Sequence, residues 1–120
     1  MLFPLVTVEE HLYLYARIKR VPWNQVRQTV DESIHAMDLE EHRKKKAKEL
    51  SGGNKRKLAV AIAFIGNSRI IFLDEPSTGM DPVIRRKMWS LIATLKEHRA
   101  IILTTHSMEE AGKYDLIPEP

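Results

Sequence analysis

Apolar positions fall into two regimes along the chain, at helical intervals up to about Ile65 and in short unbroken runs beyond it. Thr7 and Glu10 form a capping box, and Leu12, Tyr15 and Ile18 then lie on one helical face. Pro22 opens a second helix at its first turn, along which Val26, Val30, Ile34 and Met37 make an apolar stripe. A basic connector of low hydrophobicity runs from about Glu40 to Glu49. Ser51 caps a third helix, Gly52 to about Ile65, which stops near Gly66 and Asn67.

Beyond that point Ile70-Ile71-Phe72-Leu73 is wholly apolar and ends at Asp74, the pattern of a strand buried on both faces. Asp81-Pro82 is a cap with proline at the first helical position, opening a helix through Met88, Leu91, Ile92 and Leu95. Ala100 to Leu103 is a second buried strand, and Ser107 with Glu110 caps a last, short helix. Strand, helix, strand in this order is a βαβ unit, so parallel strands with a right-handed crossover are expected. No internal repeat interrupts the scheme.

Composition narrows the function classes. A length of 120 residues suits one domain or a piece of one. The absence of cysteine excludes disulfides and thiolate-held metals. The longest apolar stretch, Leu58 to Ile65, is far short of the roughly 20 residues of a membrane-spanning helix. Met1-Leu2-Phe3-Pro4 shows no basic region or cleavage site, so no signal peptide is expected. Net charge is +3, and basic residues crowd between His42 and Lys57. No aromatic residue interleaves them, so they read as a solvated helix end and loop, and no nucleic-acid partner is expected.

Candidate chemistry lies at three places. Leu50-Ser51-Gly52-Gly53-Asn54 puts a serine and two glycines at a helix start, where unpaired N–H groups and the helix dipole suit a phosphate. Taken alone, the same residues would be a plain helix cap. Asp74 and Glu75 emerge at a strand's carboxyl end, where an acidic pair can hold magnesium and orient a water. Thr104-Thr105-His106 comes after the second strand, at the same edge of the sheet.

In this order and spacing LSGGN, IIFLDEP, STGMDP and TTHS resemble the signature motif, Walker B, D-loop and H-loop of ABC ATPases. The segment Leu2 to Arg20 is similar to the stretch just after the Q-loop in eukaryotic A-subfamily transporters, which move lipids. LSGGNKRKL is typical of that subfamily, where many other ABC proteins carry glutamine at the place of Asn54. The resemblance runs from Leu2 to about Ala111. It implies an α/β chain with a partial P-loop NTPase fold: a helical subdomain over 1–66, then over 67–120 a βαβ piece of the parallel core sheet. It also implies ATP and Mg2+ as ligands. Ser51, Gly52, Gly53 and Asn54 would meet the nucleotide of a partner domain, and Asp74 would hold magnesium through water. Glu75 would be the general base, Asp81 would communicate across the dimer interface, and His106 would reach the γ-phosphate. The implied partners are a second nucleotide-binding domain, head to tail, and transmembrane domains, with the chain at the cytoplasmic face of a membrane.

Departures from the family pattern matter as much. None of the glycines, at 52, 53, 66, 79 and 112, begins a G-x-x-x-x-G-K-[ST] loop. The Q-loop glutamine and the adenine-stacking aromatic are also missing, and Pro118 and Pro120 argue against the strand that the family places after the H-loop. The chain therefore reads as a fragment, inactive alone and marginally stable or prone to aggregate, because only two strands of the parent sheet are present and apolar faces and unpaired edges would be exposed. Two other functions compete. A soluble ABC-type ATPase of DNA maintenance would set long coiled coils beside the signature, and Leu2 to Glu49 carries no sustained heptad. A non-enzymatic piece offering LSGGN to another subunit's ATP would need a stable fold.

Overall fold

The computed structural model describes residues 2–66, 69–76, 80–96 and 99–104. Helix α1 (Val8–Ile18) starts at the expected capping box: Thr7 Oγ1 accepts from Glu10 N–H, and the Glu10 carboxylate accepts from Thr7 N–H. Its buried face is rotated from the expected one. Val8, His11, Leu12 and Ala16 turn inward, Tyr15 is half-buried, and Ile18 is 62% exposed. A buried histidine replaces an aliphatic residue in that stripe because its ring is fully hydrogen-bonded. Phe3 N–H donates to His11 Nε2 at 2.8 Å, so Nδ1 carries the proton and donates to Thr7 C=O at 2.8 Å.

Helix α2 (Trp23–Ala36) buries Val26, Val30 and Ile34, with Met37 just past its end, as the stripe required. Pro22 sits one position earlier than expected, at the N-cap rather than within the first turn. The supposed connector is more ordered than its composition suggested. It forms two single 3₁₀ turns, Glu40–His42 and Ala47–Glu49, and runs antiparallel to the start of the chain. Ala47 N–H donates to Val6 C=O at 2.9 Å and Lys48 N–H to Pro4 C=O at 3.0 Å, so the turn before Ser51 is strapped to Pro4–Val6. Arg43 pairs with Glu9, Asp31 and Glu40, and Lys44 with Glu9. The hydrogen bonds from Lys44 and Arg43 pull the Glu9 carboxyl below its ordinary range.

Helix α3 (Gly52–Phe64) packs against α1, against strand β1 (Ile70–Asp74) and against helix α4 (Pro82–Leu95). Asp81 caps α4 with Pro82 at its first position, as expected, and strand β2 (Ala100–Thr104) completes a β1–α4–β2 unit. β1 and β2 run parallel in a register from Ile70 opposite Ala100 to Asp74 opposite Thr104. The buried apolar residues of all four helices and of β1 belong to one cluster.

The strands are not buried on both faces. Ile71 and Leu73 enter the core, but Ile70, Phe72 and Ile102 are 56%, 70% and 50% exposed. Among the described residues only one face of the sheet is covered, and the unbroken apolar run is a strand with an exposed second face. The expected last helix at Ser107, the D-loop residues 77–79, and the segment 105–120 lie outside the described residues.

Candidate functional site

The two ends of α3 are treated differently. At the carboxyl end the last carbonyls meet cations. Lys19 Nζ donates to Ile62 C=O at 2.6 Å and Ala63 C=O at 3.1 Å. Arg99 donates to Phe64 C=O and Gly66 C=O, each at 3.2 Å, with its guanidinium 5.4 Å from the Phe64 ring centre. These charges suit the negative end of the helix dipole. Burial, and then the Arg99 charge, push the Lys19 amine below its ordinary range. Gly66 makes the turn out of the helix at φ +83°, which a side chain would strain.

At the amino end the turn is left open. Ser51 Oγ accepts from Asn54 N–H at 3.1 Å and Ser51 C=O from Lys55 N–H at 2.9 Å. Among the described residues Gly52 and Gly53 N–H donate to nothing, and Ser51 and Gly52 are exposed. Neither glycine is demanded by the fold: a Cβ built on either meets no heavy atom within 4 Å, and neither has positive φ. Glycine inside a helix costs about 1 kcal/mol relative to alanine. Two in succession, with free N–H groups at the positive end of a 13-residue helix, fit an approaching anion. Asn54, the remaining residue of the motif, turns its side-chain Nδ2 to His42 Nε2 at 3.2 Å.

The second cluster stands at the carboxyl edge of the β1–β2 pair. Asp74 ends β1 exposed, and its carboxylate accepts from the Thr104 hydroxyl of β2. Glu75 comes next in the left-handed region, at φ 44°, which is uncommon for a residue with a side chain. Its N–H donates to Thr104 C=O at 2.7 Å, so the neighbouring strand locks the unusual backbone in place. Strained residues of this kind gather at functional sites. An exposed carboxylate fixed by a neighbouring hydroxyl is a fitting donor for a hydrated Mg2+, an ion that keeps several waters when bound.

Asp81, to which the resemblance gives a role across the dimer interface, accepts from Ile84 N–H through Oδ1 at 2.9 Å and so acts as the expected cap of α4. His106 lies outside the described residues. Sequence reasoning missed two features: the left-handed turn at Glu75 and the contact from His42 to Asn54. No local pattern announces either, because both depend on partners distant along the chain.

The ABC transporter family model matches residues 1–78. ATP-binding cassette sub-family A member 2 of Homo sapiens is 49% identical over 111 residues, which are 92% of this chain and 5% of that protein. ABC transporter A family member 2 of Arabidopsis thaliana is also 49% identical, across 92% of this chain and 11% of its own length. A phospholipid-transporting ATPase of Rattus norvegicus is 46% identical, with 92% and 6% covered. Among solved structures, a dimeric ATP-binding cassette in a post-hydrolysis state, bound to ADP and Pi, superposes with a TM-score of 0.81 at 27% identity. That alignment covers 92% of this chain and 50% of the cassette. The chain thus spans half of a solved cassette and a small part of each of these curated relatives.

Proposed function

The chain belongs to the ABC transporter family, as part of an ATP-binding cassette of the A-subfamily type, and we propose that it supplies one side of a nucleotide clamp. Residues 1–66 act as the helical subdomain and present Ser51, Gly52, Gly53 and Asn54 to the terminal phosphate of ATP held by a second cassette. Residues 67–120 belong to the core that carries the chemistry. There Asp74 holds Mg2+ through water, Glu75 accepts the proton of the attacking water, and His106 reaches the γ-phosphate. Asp81, at the cap of α4, relays between the two cassettes. Bound Mg2+ would neutralise phosphate charge as the γ-phosphoryl leaves. In a whole transporter this hydrolysis drives movement of a substrate, a lipid by analogy with the phospholipid-transporting relative, with the cassette on the cytoplasmic face of the membrane.

The observation that carries the reading is the pair of glycines at the amino end of α3. They have no internal reason to be glycine and leave two N–H groups without a partner among the described residues. A plain cap would be better served by alanine. Gly53→Ala is therefore expected to stabilise the chain by up to about 1 kcal/mol in urea. In a complete transporter the same change should lower ATP turnover at least tenfold, because the methyl group occupies the place of approach. Loss of stability with full turnover would mean that the glycines serve the fold.

A further inference from the structure

The side chain of Asn54 is held by a residue that no motif marks. His42 Nε2 lies 3.2 Å from Asn54 Nδ2, while the backbone N–H of Asn54 is held by Ser51 Oγ at 3.1 Å. Asn54 is thus fixed at backbone and side chain together, one residue from the free N–H of Gly53. His42 is itself well placed to hold something. It ends the turn Glu40–His42, its N–H donates to the C=O of fully buried Leu39 at 3.0 Å, and its C=O accepts from Lys45 N–H at 2.9 Å. Its second ring nitrogen, Nδ1, is buried and has no partner among the described residues. Because the Asn54 Nδ2 can only donate, Nε2 accepts from it and Nδ1 carries the ring proton, and among the described residues this is the ring's one side-chain hydrogen bond.

We propose that His42 is a positioning residue for the signature turn, fixing the Asn54 carboxamide beside the amides of Gly52 and Gly53. Asparagine reaches the ring at hydrogen-bond distance, 3.2 Å, while its own backbone N–H is held by the helix cap. His42 and Asn54 therefore act as a matched pair, and a carboxamide held by the ring does not wander across the mouth of the N–H cradle. The importance of this for catalysis rests on the phosphate-binding reading above, but the contact itself does not.

Nuclear magnetic resonance on the chain without nucleotide separates the two. In the unaltered chain the Asn54 side-chain NH2 signals should exchange slowly with water. His42→Phe should raise that exchange at least tenfold while the Asn54 backbone amide, held by Ser51, stays protected; His42→Gln, which keeps a hydrogen-bonding end, should restore part of the protection. Asn54→Ala, with His42 intact, should shift the ring Nε2 resonance, which covers the case in which the His42 variants fold poorly. Unchanged Asn54 side-chain exchange in His42→Phe, or an unmoved Nε2 signal in Asn54→Ala, overturns the proposal and leaves the phosphate reading untouched. If these shifts occur but Gly53→Ala leaves the turnover of the complete transporter intact, the pairing stands and the phosphate reading falls.

Discussion

Glu75→Gln, made in a protein that joins this chain to its phosphate-binding half, should cut ATP turnover by about a hundredfold to ten-thousandfold and leave nucleotide binding intact. The substitution keeps the shape of the side chain and removes the carboxylate that takes up a proton. It should not disturb the backbone, because the left-handed turn at φ 44° is held by the bond from residue 75 N–H to Thr104 C=O. That bond involves no side chain of residue 75. Single-turnover measurements distinguish the effect from slow product release. Wild-type turnover in the variant would remove Glu75 from the role of base.

The second large effect falls on the fold. Trp89 is the largest fully buried side chain and sits on the inner face of α4, in the same cluster as Ile71 of β1 and Leu58 of α3. Trp89→Ala should cost about 3–5 kcal/mol, from lost burial and the cavity left behind. That is a large fraction of the about 5–15 kcal/mol that holds an ordinary domain together. This chain should start from less, since Ile70, Phe72 and Ile102 are exposed on one face of its sheet. Urea unfolding monitored by circular dichroism should show no cooperative folded baseline for the alanine variant. Trp89→Phe should keep one, because the indole N–H has no partner among the described residues whose loss would be felt. An alanine variant with an unshifted midpoint would contradict this view of the core.

Local chemistry is legible in the sequence because it is spent locally. The capping box of Thr7 and Glu10, the Ser51 cap, and Asp81 with Pro82 after it each bond within three residues, and each stands at its expected place. The stripe of Val26, Val30 and Ile34 needs only helical spacing. The features that escape are decided across the chain. The ring of His11 is buried because Phe3 and Thr7 satisfy both nitrogens, and Ala47 is buried because Val6 pairs with it. Neither pairing has a sequence period. The strands are legible in a different way: an apolar run reports the faces a strand has to cover, and the exposed apolar surface expected of a two-strand piece is found at Ile70, Phe72 and Ile102. At the candidate site the residue types are legible, but the bent backbone of Glu75 and the hold of His42 on Asn54 are not.

Without a phosphate-binding loop, the open N–H groups of α3 and the acids Asp74 and Glu75 should be unable to grip a nucleotide by themselves. Titration of Mg-ATP into the purified 120-residue chain by calorimetry, with phosphate release measured in parallel, tests this most directly. The expected result is no saturable binding below about millimolar concentration and no hydrolysis above background. Micromolar binding with turnover by the chain alone would contradict it.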